Sequence, residues 1–413
     1  MTECENPSSP RLPGCCVRLA PKGLQNGYSS MKQVQELFQH LFHRSSELQV
    51  LSPGRVNLIG EHTDYNQGFV LPAAIDKHIS VALAANDSRE CRVHAAHFSE
   101  TRHFSLDELA PGTPSQAWIN YIIGVVYYLQ QQGHAVEGFD AVLDGNIPVG
   151  SGLSSSAAVE GAFSFGLSQL FGLKLERMDQ ALIGQQSEHH FVGVKCGIMD
   201  QFANLHGKKS QLMRLDCRDL SYTYVPFDFP DYRIVLCNTL VSHSLASSEY
   251  NQRRQQCEEG VKLLSRWYPG IGSLRDLSSA QLRGHQAELP ETVYRRCLYV
   301  TEENERVLAA CDSLEAGDLR QFGRFMYGSH EGLSRLYEVS CPELDFLVDQ
   351  VRGREDVMGA RMMGGGFGGC TINIVRADSL EAFCGHINAA YENAYGKIPE
   401  IYITSIEQGT HLL

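Results

Sequence analysis

The sequence contains no C-x-x-C pair, although 13 of its 413 residues are cysteine. The number is odd, and the single close pair is Cys15 and Cys16. This spacing matches neither a zinc site nor the disulfide framework of a small secreted protein. We therefore expect reduced cysteines, as in the cytoplasm.

Long hydrophobic runs are also missing. No apolar segment approaches the ~18 residues that a membrane-spanning helix needs. The N-terminus lacks the basic and then apolar order of a secretory signal peptide. The sequence therefore predicts a cytoplasmic protein with no membrane partner.

Positive charge is scarce. The chain has 35 Lys and Arg residues and 48 Asp and Glu residues, which gives a formal net charge of −13 at pH 7. A chain this acidic is poorly suited to nucleic acid or to an anionic membrane surface as its main partner. A phosphate ligand stays possible, because backbone N–H groups or a bound metal can hold it.

Three familiar catalytic patterns are missing as well. There is no H-E-x-x-H, and the adjacent His189 and His190 would diverge on a helix, so a histidine metal cluster is not expected. The segment Gly150–Ser156 is not followed by Gly-Lys-Ser/Thr, which excludes a Walker A loop. Ser155 occupies the third glycine position of the dinucleotide fingerprint.

Size and composition predict two domains of the α+β class. The chain is longer than a single core usually supports, and its helical and strand-like segments alternate irregularly. Residues 1–30 hold four of the 15 prolines without an apolar period, which predicts a mobile tail. A capping box of Ser30 and Gln33 predicts the start of the first helix. We place the domains at 31–222 and 223–413.

The most informative segment is Pro53–Gly68, which reads PGRVNLIGEHTDYNQG. Its apolar run Val56–Ile59 predicts a strand that ends at the polar cluster Glu61–Asp64, with Arg55 at its start. Carboxylates and an imidazole at the mouth of a strand suit a polyhydroxylated ligand. The alternative is an acidic surface turn.

The segment Gly150–Ser156 lies between a predicted strand, Ala141–Asn146, and a predicted helix, Ser155–Phe171. Glycines allow close approach of the backbone, and the helix N-terminus offers unpaired N–H groups, so the loop could hold a phosphate. The alternative is a helix capped by serine after a glycine turn.

Two carboxylates follow. Glu188 falls near the end of a predicted helix, Met178–Val192, where a solvated helix residue is the simpler interpretation. Asp200 is flanked by apolar residues, which predicts partial burial and hence a partner such as arginine or a metal. The alternative is a cap for a turn that starts at Gln201.

Five of the six residues at 364–369 are glycine. Such a run supports no regular element and suggests close approach of the backbone to a ligand or to another loop, with a flexible turn as the alternative.

Taken together, these segments resemble the galactokinases, members of the GHMP family of small-molecule kinases, from about Met31 onward. Pro53–Gly68 resembles their signature, and Pro148–Ala158 resembles the GHMP phosphate loop. Cys196–Gln201 and Met363–Cys370 resemble the two other family segments.

The resemblance implies a two-domain GHMP kinase fold. Its N-terminal domain would be like the second domain of ribosomal protein S5, its C-terminal domain would be ferredoxin-like, and the active site would lie in the cleft between them. The implied reaction transfers the ATP γ-phosphoryl group to the C1 hydroxyl of α-D-galactose, yielding galactose 1-phosphate and ADP in the Leloir pathway of galactose catabolism. Mg²⁺ is the implied cofactor, galactose and ATP are the implied partners, and we expect a monomer.

The resemblance also implies residue roles. The catalytic pair would be Asp200, which accepts the proton of the hydroxyl, and Arg55, which keeps Asp200 ionised. The implied sugar contacts are Glu61, His62, Thr63, Asp64, Gly197 and Tyr250. The implied ATP contacts are Trp118, near the adenine, and Gly150, Ser151, Gly152, Leu153, Ser154, Ser155 and Ser156. Ser156 and Glu188 would face Mg²⁺.

Two alternatives share this fold. An N-acetylgalactosamine kinase usually reads Glu-His-Ile-Asp in the signature, so Thr63 favours plain galactose. A non-catalytic galactose and ATP sensor loses a Ser-Ala pair from the phosphate loop, whereas Ser154–Ala158 is intact here.

Overall fold

The computed structural model describes residues 23–112, 117–148, 150–241 and 246–413. The helices of the first half of the chain are α1 (Gly23–Phe42), α2 (Ala117–Gln131), α3 (Ser155–Leu170), α4 (Arg177–Ser187) and α5 (Met199–His206). Its strands are β1 (Leu48–Asn57), β2 (Phe69–Val70), β3 (Pro72–Ala85), β4 (Glu90–Ala95), β5 (Glu100–Ser105), β6 (Phe139–Gly145), β7 (Gln211–Asp216) and β8 (Tyr222–Pro226).

The second half has the helices α6 (Ala246–Leu264), α7 (Ser279–Arg283), α8 (Glu291–Glu315), α9 (Leu319–Gly332), α10 (Pro342–Val351) and α11 (Leu380–Tyr395). Its strands are β9 (Tyr232–Asn238), β10 (Val357–Met362), β11 (Cys370–Arg376), β12 (Glu400–Thr404) and β13 (His411–Leu412). Among the helices of the described ranges, none combines the length and the apolar character needed to cross a bilayer.

The strands form three sheets. The largest has the order β13-β1-β3-β6-β4-β5, the second β2-β7-β8 and the third, built from the second half of the chain, β10-β11-β9-β12. Helices and mainly antiparallel strands are therefore mixed without a regular βαβ order, which is the predicted α+β class. The C-terminal β13 returns to β1, so the end of the chain joins the sheet of the first half.

The largest sheet is covered on both faces, which explains the nearly continuous apolar sequence of its central strand β3. Helix α1 packs on one face through Val34 and Phe38, which contact Ala82 and Ala84 of β3. Helix α3 packs on β1 and β3 from the other face. This packing fixes β1 relative to α3, and the loop before α3 is the predicted phosphate loop.

Several boundaries differ from the sequence predictions. Helix α1 begins at Gly23, ahead of the predicted cap at Ser30, so helix extends into the predicted tail, the rest of which lies outside the described residues. Helix α4 ends at Ser187, and a wider π-type turn, Glu188–Val192, follows it. The predicted domain boundary at 222/223 stays a prediction, and it falls inside β8.

The contact between α9 and β10 depends on glycine. A Cβ atom on Gly323 of α9 would lie 1.8 Å from the carbonyl oxygen of Met358. We expect Gly323→Ala to lower the free energy of unfolding by about 1–3 kcal/mol in urea denaturation, because helix and strand must move apart.

The matched control is Gly385→Ala in α11, where a Cβ atom would meet nothing within 4 Å. This variant should gain about 0.5–1 kcal/mol from its helix propensity. Equal losses in the two variants would contradict the proposed close approach.

Candidate active site

Arg55 is aimed by an irregularity in β1. The antiparallel register of β1 with β3 shifts between Pro53 and Arg55, as in a β-bulge. A Cβ atom on Gly54 would lie 2.8 Å from the carbonyl oxygen of Leu153, so glycine is needed at this position. The Arg55 backbone N–H donates to Leu153 O at 3.2 Å, and Nη1 donates to Gly152 O at 2.5 Å. The bulge thus docks Arg55 onto the predicted phosphate loop.

The guanidinium of Arg55 forms a two-pronged ion pair with Asp200. Arg55 Nε donates to Asp200 Oδ1 and Nη2 donates to Oδ2, both at 2.8 Å. The Arg55 side chain is 6% exposed and that of Asp200 28%. Burial alone would lower the pKa of Arg55, but Asp200 and other nearby carboxylates raise it on balance. Asp200 lies inside the first turn of α5, so the interpretation as a cap is wrong.

The loop before α3 contributes a hydroxyl to the same carboxylate. Ser154 has φ 57°, a left-handed conformation that is uncommon for a residue with a side chain. Its Oγ donates to Asp200 Oδ2 and makes no capping hydrogen bond, so the interpretation as a serine-capped helix is wrong. The serines that follow begin α3, whose first N–H groups have no partner within the helix.

Glu188 is buried at the end of α4, so the interpretation as a solvated helix residue is wrong. Its Oε2 accepts hydrogen bonds from Gln201 Nε2 at 2.9 Å and from the thiol of Cys196 at 3.5 Å, and Ser156 bonds the same carboxylate. Burial, and then the charge of Asp200, raise the pKa of Glu188 to about 7. The carboxylates of Glu188 and Asp200 therefore lie close enough to interact beside the loop.

Glu61 and His62, in the polar cluster after β1, make different contacts. Glu61 Oε1 accepts from Arg361 Nη2 at 2.6 Å and from the Gly364 N–H at 2.8 Å. His62, with φ 63°, shares a hydrogen bond of 2.7 Å between Nδ1 and Tyr65 OH. Burial lowers the pKa of His62 to about 4, so the ring is neutral and can both donate and accept.

Thr63 is a correction to the predicted sugar contacts. Its hydroxyl oxygen lies 2.8 Å from Gly60 O and 2.6 Å from Phe69 O, so its single proton is directed to these carbonyls, and its side chain is fully buried. Thr63 thus stabilises the turn from which Glu61, His62 and Asp64 face the cavity. Asp64 does face the cavity, packed against Gly197, and burial together with the charge of Asp200 raises its pKa to about 7.

These side chains surround one cavity of about 150 Å³. Its lining residues are Arg55, Glu61, His62, Asp64, Glu188, Val194, Cys196, Gly197, Met199, Asp200, Tyr250, Gly364 and Gly365. The structure therefore brings together eight of the residues that sequence analysis assigned to catalysis, sugar or metal. Gly364 and Gly365 were not among the predicted site residues, although the glycine run at 364–369 was the feature that could have identified them.

Some predicted ATP contacts lie apart from the cavity. Trp118 Nε1 donates to Glu100 Oε2 at 2.7 Å, and its ring lies beside the exposed Phe98 with centroids 6.4 Å apart. Ser151 donates to Pro148 O at 2.7 Å, and Leu153 is buried in the core, so these two side chains stabilise the loop. Any contact with a nucleotide would come from their backbone.

The chain is similar to known proteins both in sequence and in fold. Residues 36–85 match the family model of the galactokinase galactose-binding signature, residues 120–208 that of the GHMP kinases N terminal domain, and residues 310–393 that of the GHMP kinases C terminal domain. The chain is 43% identical to the galactokinase of Roseiflexus sp. (strain RS-1) over 377 residues, which cover 91% of this chain and 96% of that protein.

Other relatives agree with this result. The galactokinase of Chloroflexus aurantiacus is 45% identical over 332 residues, covering 80% of this chain and 85% of that protein. The crystal structure of Lactococcus lactis galactokinase complexed with galactose superposes with a TM-score of 0.89 at 35% identity, covering 92% of this chain and 98% of that one. Methanococcus jannaschii mevalonate kinase, at 17% identity and a TM-score of 0.60, shares the fold alone.

The raised pKa of Asp64 predicts a pH dependence of stability. The ionised carboxylate is unfavourable in the folded state, so the contribution of Asp64 is fully present below its unfolded pKa and is lost as the pH rises through about 7. We expect Asp64→Asn, relative to wild type and without ligands, to gain on the order of 2 kcal/mol of stability between pH 5 and pH 8.

Urea denaturation at several pH values measures this difference. Asp87→Asn removes an exposed carboxylate outside the cavity and should leave the pH dependence of wild type unchanged. A difference between Asp64→Asn and wild type that stays flat with pH would refute the electrostatic account.

Proposed function

The chain belongs to the galactokinase family of GHMP kinases and is an ATP-dependent sugar kinase, and we propose that its cavity is where α-D-galactose receives a phosphoryl group at its C1 hydroxyl. The observation that carries this proposal is the Arg55–Asp200 ion pair. It lies where the polar cavity meets the loop before α3, and Ser154 joins the two. A carboxylate at this junction can contact a hydroxyl and a transferred phosphoryl group together.

Asp200 would orient the C1 hydroxyl and accept its proton as the new P–O bond forms. Arg55 holds that carboxylate in place through two hydrogen bonds of 2.8 Å and offsets negative charge that develops on the transferred group. Phosphoryl transfer passes through a loose transition state, so positioning and charge neutralisation carry most of the barrier lowering. The fixed geometry of the pair suits that requirement.

ATP would lie along Gly150–Ser156. The glycines at 150 and 152 adopt φ 73° and 74°, and the unpaired N–H groups at the start of α3 can face phosphate oxygens. We place the adenine near Trp118, where its ring and the exposed Phe98 offer an aromatic surface.

Mg²⁺ fits the oxygen donors of Ser156 and Glu188. Carboxylate and hydroxyl oxygens suit this hard cation, which commonly takes one or two carboxylates together with substrate phosphates. Burial and the charge of Asp200 raise the pKa of Glu188 to about 7, and a cation held by Glu188 would offset this unfavourable charge. When bound, Mg²⁺ would neutralise phosphate charge.

The sugar hydroxyls would meet Glu61, His62, Asp64, Tyr250 and the backbone at Gly197, with Thr63 supporting the turn from behind. Galactokinase relatives over most of the chain favour galactose over N-acetylgalactosamine. The domain division at 222/223, a cytoplasmic location and a monomer are further proposals.

A sugar panel tests the function. With ATP and Mg²⁺, coupled ADP release should be fastest with galactose, and N-acetylgalactosamine should give a kcat/KM at least about 100-fold lower, since a bulky substituent must enter a closely fitted cavity. Comparable rates with both sugars would favour the amino-sugar kinase. Binding of galactose and ATP without ADP release would favour the sensor.

Asp200→Asn tests the catalytic pair. We expect kcat to fall by about 10²–10⁴-fold, because the amide accepts a proton poorly and pairs weakly with Arg55. Galactose should still bind in calorimetry, since the other cavity side chains remain.

The matched control is Asp216→Asn, which alters an Asp–Arg pair outside the cavity, 3.2 Å from Arg275. That variant should keep kcat. Near-normal turnover in Asp200→Asn would exclude the assigned role of Asp200.

A further inference from the structure

Arg361 is a fully buried arginine in strand β10 of the third sheet. Its side chain is 0% exposed, and its Nη2 lies 2.6 Å from Glu61 Oε1, across 300 residues of sequence. Within the described residues, its Nε and Nη1 atoms have no hydrogen-bond partner. Burying a guanidinium is costly, and here the carboxylate of Glu61 is what compensates for it.

Glu61 is held asymmetrically. The Gly364 N–H, at 2.8 Å, donates to the same Oε1 atom that Arg361 contacts. The carboxylate lines the cavity, so its other oxygen, Oε2, is left for a ligand. The two donors, Arg361 and the Gly364 N–H, both hold Oε1. They therefore fix the orientation of the carboxylate and direct Oε2 toward the cavity.

The backbone around Glu61 is also held by residues of the second half of the chain, the half that contains Arg361 and Gly364. Gly60 N–H donates to Glu303 Oε1 at 2.9 Å, and Tyr299 OH donates to Glu61 O at 2.9 Å. Both partners lie on α8. The side chain and the backbone of Glu61 are thus both anchored, and among the described residues that donate to its side chain Arg361 is the charged one.

We propose that Arg361 is a positioning residue for galactose, fixing Glu61 so that its free oxygen reads one hydroxyl of the sugar. The proposal rests on the sugar-binding role proposed for Glu61. Arg361 does not line the cavity, so it would act through Glu61 alone. Burial works against an ionised Glu61, while Arg361 and then Arg55 keep the pKa of Glu61 below its usual value.

The first experiment measures steady-state kinetics of Arg361→Met. We expect KM for galactose to rise about 100-fold while KM for ATP stays within about threefold, because an unpaired Glu61 loses its orientation. Arg92→Met is the control, since it also removes an arginine from a buried carboxylate, that of Asp140 in the first half. It should leave both KM values unchanged.

The second experiment identifies the hydroxyl. Glu61→Gln and Arg361→Met are each assayed with galactose and with monodeoxy analogues lacking one hydroxyl in turn. Wild type should discriminate against several analogues. Both variants should lose most of that discrimination at the same single position and keep it at the others, a pattern that general destabilisation does not produce.

Two further variants extend the test, and the first of them, Arg361→Lys, also covers a failure of Arg361→Met to fold. Arg361→Lys keeps a charge near Glu61 and should bring KM for galactose back to within about tenfold of wild type. In a Glu61→Gln background, adding Arg361→Met should change KM for galactose by less than about threefold, because the residue through which Arg361 acts is already altered.

The outcomes separate the two proposals. The role of Arg361 would be overturned if Glu61→Gln impaired the use of galactose while Arg361→Met kept a normal KM for galactose and normal discrimination between galactose and its analogues. An Arg361→Met effect of undiminished size in the Glu61→Gln background would overturn it as well. A Glu61→Gln enzyme that handles galactose and all analogues like wild type would instead refute the proposed sugar contact.

Discussion

The ion pair between Arg55 and Asp200 is the contact on which the site depends. Its partners are 145 residues apart in sequence, so the pair forms only once β1 and α5 have packed against each other and against α3. The bulge in β1 and the close approach of Gly54 to Leu153 O set the arginine. Removing either Arg55 or Asp200 would leave the other charge buried or half-buried without its partner. Such a loss costs more free energy than the pair itself contributes.

Around this pair several acidic side chains lie close together. Burial and neighbouring carboxylates raise the pKa of Asp64 and that of Glu188 to about 7, and burial raises the pKa of Glu160 well above its usual value. Gln201 reduces the repulsion by donating to both Glu160 and Glu188 at 2.8 and 2.9 Å. Such an arrangement is well suited to a cation and to hydroxyl donors.

Local sequence patterns predicted much of the site and part of the fold. The apolar run Val56–Ile59 is buried and ends at the polar cluster, as its pattern indicated. Partial burial of Asp200 and its need for a partner followed from its apolar neighbours, whereas Arg55 as that partner came from the family resemblance. The bulge before Arg55 and the inward turn of Thr63 could not be predicted, because each depends on a backbone group brought close by folding, Leu153 O in one case and Phe69 O in the other.

Arg361 is a stronger example of a contact that local sequence patterns cannot predict. An arginine in an otherwise apolar strand has no local pattern that names its partner, and Glu61 lies 300 residues away. The glycine run next to it did predict a close approach of the backbone, and the structure identifies two contacts that explain it. A Cβ atom on Gly366 would lie 2.1 Å from Val339 O, and Gly364 donates to Glu61. The second half of the chain therefore supplies the anchors of a polar cluster encoded entirely in the first half, so neither half could form this cavity alone.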